Sequence, residues 1–337
     1  MKNESHAPFV FGRAQLIFSD CIAWLSARKP QSIHAVVTDP PYGLVEYSPK
    51  EQAKLRKGRG GVWRIPPNFD GHQRIPLPRF TVLKPCDYDR LESFFAEFAK
   101  ALVPTLVPGA HVIVASNPLL SHIAARPLAA AGLERRGEII RLVTTLRGGD
   151  RPKNAHLEFP DLTVMPRSMF EPWLLFRKRL EGRVQDNLRK WKTGALRRVS
   201  PTQPFGDVIY SHPTRATERN KAPHPSLKPQ SFLRQIVRAV LPLERGIIFD
   251  PFAGSGSTLA AAEALGYESI GTENDPYYFA MATTAIPLLS GLRVSGTPNA
   301  RVASVSRLEP KSLSAFPIRR AGSSEKQMSL LRPDRSR

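Results

Sequence analysis

Apolar positions along the chain follow two rhythms. Short unbroken runs stand at 33–37, 111–115, 173–176 and 246–249, each bounded by turn-forming or charged residues, as strands buried on both faces require. Between them the spacing changes to three and four. Leu91, Phe94, Phe95, Phe98 and Leu102 make one amphipathic helix; Phe232, Leu233, Ile236, Val237 and Val240 make another, with Pro229 in its first turn. Cys21, Ile22, Trp24 and Leu25 follow a capping Ser19-Asp20 and predict a short helix. A helix over 258–265 is closed by Gly266, and Ser269-Ile270-Gly271 is a last short strand. Strands alternating with helices predict an α/β fold, a Rossmann-like, mostly parallel sheet with helices on both faces. Residues 47–90 are rich in Pro and Gly without period and read as an inserted loop; 147–154 read as a mobile basic loop. Beyond Leu289 the periodicity dissolves, which predicts a disordered tail.

Charge changes this picture. The chain has 337 residues and a net charge of +20, but the excess is local. Segments 47–90, 177–222 and 291–337 carry +6, +8 and +7, so the other 200 residues sum to −1. A near-neutral body with three basic attachments points to a polyanionic partner, nucleic acid first. Apolar stretches are too short to span a bilayer and no leader follows Met1, so a soluble, cytoplasmic protein with no membrane partner is expected. Two cysteines, Cys21 and Cys86, make neither a disulfide framework nor a four-thiolate zinc site, and the histidines are scattered; no metal is expected.

Two strings carry chemistry. The first strand runs into Thr38-Asp39-Pro40-Pro41-Tyr42-Gly43. Two prolines fix a rigid corner and remove two donors, leaving carbonyls free to accept beside the Asp39 carboxylate. With Tyr42 as a flat face, the corner suits a planar base bearing an exocyclic amine. The second string, Phe249-Asp250-Pro251-Phe252-Ala253-Gly254-Ser255-Gly256-Ser257-Thr258, is a strand entering a glycine turn that opens a helix. Ser257 stands where a P-loop needs Lys, and Leu259 where a dinucleotide fingerprint needs a small residue. A cofactor with a ribose and no phosphates remains, and Glu273, 17 residues after Gly256, is placed to accept its hydroxyls.

These strings, in this order, resemble the catalytic and cofactor motifs of amino-group DNA methyltransferases, in the permuted beta subgroup with the catalytic motif first. His224-Pro225-Ser226-Leu227-Lys228-Pro229 is similar to the family's box before the cofactor strand, and Glu171-Pro172-Trp173-Leu174-Leu175-Phe176-Arg177-Lys178 and Ser19-Asp20-Cys21 resemble further family strings. Ser257 for Thr and Ser19 for Gly depart from the pattern. The resemblance implies a site-specific enzyme that methylates a flipped adenine at N6 by direct displacement from S-adenosylmethionine. Asp39, Pro40, Pro41 and Tyr42 would be catalytic. Asp20, Lys228, Asp250, Phe252, Ala253, Gly254, Gly256, Ser257, Thr258 and Glu273 would hold the cofactor.

Asp at the motif's first position resembles adenine enzymes more than cytosine-N4 relatives, which remain the alternative. A catalytically silent nucleic-acid binder on the same fold is the alternative of a different class. Cytosine-C5 chemistry needs an activated thiolate, and neither cysteine has one built around it. In domain terms, residues 12–46, 91–176 and 223–290 form the catalytic core, 47–90 the insertion and 291–337 the tail. Residues 177–222 are expected to recognise the target, with Arg189, Lys190, Lys192, Arg197 and Arg198 on the nucleic acid beside Trp191 and Tyr210. The reading is compatible with a homodimer.

Overall fold

The computed structural model describes residues 7–41, 68–69, 72–73, 85–143, 152 and 154–294. The tail beyond residue 294, the 147–154 loop apart from its residues 152 and 154, most of the insertion, and Tyr42 lie outside the described residues. In chain order the elements are β1 (Phe9–Phe11), β2 (Ala14–Phe18), α1 (Cys21–Ser26), β3 (Ile33–Thr38), β4 (Asn68–Phe69), β5 (His72–Gln73), α2 (Pro85–Thr105) and β6 (Leu106–Ala115). They continue with α3 (Ser121–Ala130), β7 (Leu133–Leu142), β8 (Phe170–Lys178), α4 (Val184–Trp191), β9 (Val208–Tyr210) and α5 (Ala216–Arg219). The last are α6 (Gln230–Val240), β10 (Ile247–Asp250), α7 (Ser257–Ala264), β11 (Glu268–Glu273) and α8 (Pro276–Ser290).

Nine strands form one sheet in the order β1-β2-β11-β10-β3-β6-β8-β7-β9, and β4 and β5 pair separately. From β2 to β6 every pairing is parallel; β8 is antiparallel to both β6 and β7, and β7 and β9 are again parallel. The predicted Rossmann-like sheet is therefore present, mostly parallel, with one reversed strand inside. Alternation along β3 divides the core. Val36 faces α1, α2 and α3 through Leu25, Phe95, Phe98 and Ile123; Ala35 and Val37 face α6 through Leu233, Ile236 and Val237, and α7 through Ala261. Helices thus cover both faces, as a parallel sheet demands.

Several elements exceed what the apolar pattern predicts. α2 begins at Pro85, inside the stretch read as insertion, since proline suits a first helical position where no N–H partner is needed. β6 begins at Leu106 and runs through Pro108 and Gly109. α8 is a full helix, capped by Asp275 on the amides of Tyr277 and Tyr278. Its far end is held by the buried Arg234 of α6, whose guanidinium donates to the carbonyls of Leu289, Ser290 and Leu292. Among the described residues no helix is long and apolar enough to cross a membrane.

β3 leads through α2 to β6 on one side, and β10 leads through α7 to β11 on the other. The chain therefore turns away in opposite directions from two adjacent strands. The crevice beyond their carboxyl ends is where such sheets bind ligands.

Candidate active site

Four neighbouring parallel strands, β2, β11, β10 and β3, each end in an acid at that same edge: Asp20, Glu273, Asp250 and Asp39. In a chain of net charge +20 this row of carboxylates is a strong local departure.

Asp250 is buried at the switch between β3 and β10. It accepts from the Thr38 hydroxyl at 2.7 Å, from Thr258 and from the Phe252 amide at 3.2 Å. Burial pushes its pKa up to about 6, and the neighbouring Asp39 charge adds to the rise, against those hydrogen bonds. Glu273 accepts from the Gly254 amide at 2.7 Å and the Asp275 amide at 2.9 Å, so one carboxylate clamps the glycine turn to the end of β11. Its pKa is raised by burial. Asp20 caps α1 through the Ala23 amide at 2.9 Å.

Asp39 pairs with the Lys228 ammonium, which also lies 3.4 Å from Glu171 Oε1. Burial disfavours the ammonium, but Asp39 and Glu171 outweigh it and hold the Lys228 pKa above the ordinary value. Pro40 is buried and Pro41 half-buried. Behind Glu171 stands Arg141 of β7: its Nη1 donates to Glu171 Oε2 at 2.8 Å, its Nε to Ser211 Oγ at 3.0 Å and its Nη2 to the His212 carbonyl at 3.1 Å.

The glycine turn has two different reasons for its glycines. Gly254 sits at φ +52°, where a Cβ would come 3.1 Å from His224 Nε2. Gly256 sits at φ +74°, and a Cβ there would stand 2.4 Å from Ile286 of α8. Gly254 is thus needed beneath the histidine, while Gly256 is needed for close packing of α7 on α8, a separate reason from the cofactor contact expected of it. His224 accepts the Ser226 amide at Nδ1 and packs against Tyr278, ring centroids 4.5 Å apart. Burial, with Lys228 beside it, takes its pKa down to about 4, so the ring is neutral at pH 7. Ala253 is buried, and Phe252 packs on Phe94 and Phe98. The Ser257 hydroxyl meets that of Ser255 at 3.1 Å, and the Ser257 carbonyl accepts from Gln230.

Asp20, Asp39, Lys228, Asp250, Gly254 and Glu273 are therefore brought to one edge. The five basic residues expected on nucleic acid are not. α4 is fastened to the start of β6 by Asn187 Nδ2, which donates to the Pro108 carbonyl at 3.0 Å, and the end of β8 by Lys178, which donates to the Leu106 carbonyl at 2.7 Å. Arg197 pairs with Glu244 and donates to the Tyr267 hydroxyl at 3.0 Å, groups that precede β10 and β11. The Arg198 carbonyl accepts from Arg238. Arg189 pairs with Asp186, Lys190 with Glu181, and Lys192 caps its own helix in the left-handed region. Trp191, expected beside them, is half-buried and donates to Glu181 at 2.7 Å. All lie at the amino ends of the parallel strands, about 20 Å along the sheet from Asp39 at strand rise. The even spread of Arg and Lys over 177–222 gives no sign of which end each reaches. Charge density marks the segment 177–222 but not the edge of the sheet at which each of its residues lies. The part of that segment at the carboxyl edge is β9 with the stretch beyond it, where Tyr210 is 81% exposed and Arg215 and Arg219 are exposed.

Glu171, Arg141 and His224 were not expected as site residues. Glu171 and His224 opened matching strings; Arg141 had one available signal, a charge inside the apolar run Ile139-Ile140-Arg141-Leu142-Val143. Cys21 lies in α1 with its thiol pushed up to about 12 by burial and by Asp20, so it supplies no thiolate at neutral pH.

A rigid acceptor corner and a glycine turn, joined across the switch of an open α/β sheet, define a methyltransferase of the Rossmann-like class. The family model described as DNA methylase, of the N6 and N4 amino type, matches residues 151–284. The type II methyltransferase M.HindIII of Haemophilus influenzae is 26% identical over 76% of this chain and 90% of its own length. M2.DpnII of Streptococcus pneumoniae is 23% identical over 79% and 87%. Among solved structures, the putative DNA modification methylase TTHA0409 of Thermus thermophilus, complexed with S-adenosyl-L-methionine, superposes with a TM-score of 0.51 at 18% identity, covering 82% of this chain and 95% of that one. The PvuII DNA methyltransferase, described as cytosine-N4-specific, gives 0.52 at 13%, covering 84% and 89%. Residues 151–284 thus match the amino-group DNA methylase family, and most of the chain is similar to type II DNA methyltransferases.

Proposed function

We propose that this chain methylates adenine at N6 in double-stranded DNA, using S-adenosylmethionine, on a base held outside the duplex. The observation that carries this reading is the meeting of the Asp39 corner with the Asp250 turn across the Thr38–Asp250 hydrogen bond. The row of four carboxylates fits the cofactor chemically. S-adenosylmethionine carries an ammonium and a sulfonium, and its ribose offers two hydroxyls to an acceptor such as Glu273. When bound, it supplies an electrophilic methyl group. Asp250, buried and carrying a raised pKa, is the carboxylate whose ionised form a cation stabilises most. Asp20, Phe252, Ala253, Gly254, Gly256, Ser257 and Thr258 complete the assigned cofactor surface.

Asp39 and the Pro40 carbonyl would accept the two hydrogens of the exocyclic amine, which holds the nitrogen lone pair outward from the corner. Pro41 stiffens the corner and Tyr42 is assigned the stacking face. The amine attacks neutral, and its surplus proton leaves after transfer, with Asp39 the nearest acceptor. Alignment and burial are the main contributions of such a site. DNA would approach the carboxyl edge, meeting the stretch after β9 that carries Tyr210, Arg215 and Arg219. Within 177–222 this is the part assigned to target recognition.

Asp39→Ala should abolish transfer while calorimetry still detects cofactor binding. A variant retaining a tenth of wild-type turnover would remove Asp39 from this role. Mass spectrometry of nucleosides from methylated DNA separates N6-methyldeoxyadenosine from N4-methyldeoxycytidine, and the second product would replace adenine by cytosine in the reading.

A further inference from the structure

Four buried or nearly buried charges run in an alternating line from the catalytic corner to the far strand of the sheet. They are Asp39 after β3, Lys228 before α6, Glu171 on β8 and Arg141 on β7. The links are the Asp39–Lys228 pair, Lys228 to Glu171 at 3.4 Å and Arg141 to Glu171 at 2.8 Å. The line closes on Ser211 and the His212 carbonyl, directly after β9. Its net charge is zero, so each member is compensated in a setting where an unpaired charge is costly. Phe232 lies under the Arg141 guanidinium, with 5.2 Å from its central carbon to the ring centroid, and fixes its plane. A surface ion pair would be screened and mobile; this one is walled by three strands and a helix.

We propose that Glu171 and Arg141 are positioning residues for methyl transfer, acting through Lys228 to fix the orientation of the Asp39 carboxylate. This rests on the catalytic reading of Asp39. Lys228 alone does not hold one position: its ammonium can rotate between Asp39, Glu171 and the Ser226 carbonyl at 3.4 Å. Glu171 draws the ammonium toward the sheet, and Arg141, held also by Ser211 Oγ and the His212 carbonyl, keeps Glu171 from turning. Because Arg141 also grips Ser211 and His212, the same line ties the stretch assigned to DNA to the catalytic carboxylate.

The test is steady-state kinetics on specific DNA across pH, with Glu171→Gln, Arg141→Gln and Asp39→Ala in the full chain. Glu171→Gln should lower kcat about tenfold while KM for DNA and cofactor stay within about threefold, the scale of a lost supporting hydrogen bond at a reacting group. It also leaves Lys228, beside Asp39, Arg141 and His224, with one carboxylate fewer, so kcat should fall with rising pH below the ordinary lysine range. Arg141→Gln should lower kcat as well but leave that alkaline range level, since it removes a cation from beside Lys228. Arg141→Lys should recover part of the loss.

A Glu171→Gln enzyme with kcat within twofold of wild type and an unchanged pH profile overturns the proposal. So does a loss of thermal stability in both variants with kcat untouched. If Glu171→Gln does not fold, Arg141→Gln decides: wild-type kcat overturns the inference, a severalfold fall rescued by Arg141→Lys supports it. An active Asp39→Ala would defeat the catalytic reading itself. An inactive Asp39→Ala beside a fully active Glu171→Gln defeats only this inference.

Discussion

Asp250 shows how a single residue can be held at a cost to stability. Its folded pKa of about 6 stands above the ordinary 3.8, so the folded state binds its proton more tightly than the unfolded chain does. Stability from this group therefore rises as pH falls from about 6 toward 3.8, and above 6 the buried charge is a burden. Asp250→Asn should raise stability at pH 8 by about 1–3 kcal/mol, with little gain at pH 4. Urea melts at the two pH values check this; equal effects at both would mean the carboxylate is not the burden. On the proposed reading, cofactor affinity should fall in the same variant at pH 8, and in wild type as pH drops below 6, because a cationic cofactor would be held by the ionised form. Glu273→Gln should weaken cofactor binding by about 1–3 kcal/mol, the scale of one stranded polar group, and unchanged affinity by calorimetry would place the ribose elsewhere.

At the scale of elements, the glycine turn proposed to hold the cofactor is also a packing device. Gly256→Ala forces a left-handed conformation on a residue with a Cβ and drives that carbon into Ile286. The change should destabilise the fold by about 2–4 kcal/mol, strain and overpacking together. Adding Ile286→Ala should return the overpacking part but not the strain, and thermal melts of single and double variants measure both. No recovery would mean that α8 does not set the limit.

What the sequence disclosed divides along the same line. β3, α6, β10, α7 and β11 were legible because their apolar runs are short and end in Pro or Gly. β7 was not, because Glu134, Arg135, Arg136 and Glu138 fill its first half, where β9 does not yet pair with it. α8 was hidden by being apolar nearly all round, which erases the three-to-four rhythm. The corner and the turn of the site were readable as strings. The Arg141–Glu171 link was not, since its members matter only where two strands and the Lys228 loop meet.

For the whole molecule, the position of the basic groups separates two surfaces that composition merges. Neutralising Arg215 and Arg219 should weaken DNA binding and lower the salt slope by about 0.9 for each phosphate no longer neutralised. Neutralising Arg189 and Lys190, at the opposite end of the strands, should leave both nearly unchanged. Binding titrations of specific and random duplexes at several salt concentrations decide between them; the reverse order of effects would place the DNA at the amino edge. Deleting 295–337 preserves the Leu292 carbonyl that Arg234 holds. If the basic tail touches only phosphates, that deletion should lower affinity for both duplexes by similar factors. A selective loss on the specific duplex would make the tail part of target recognition.

The hydrogen bond between Thr38 and Asp250 joins residues 212 positions apart. On a ribosome adding about 5–20 residues per second, about 10–40 s separate the synthesis of its two ends. Throughout that interval the nascent chain already displays its Asp39 corner, while the strand that must lie beside it has not left the tunnel. A chain that ends before Asp250 lacks the second half of the site, so a message broken before codon 250 should yield no active fragment. Activity therefore waits for the strand that carries Asp250, and whatever is made before it holds half a site.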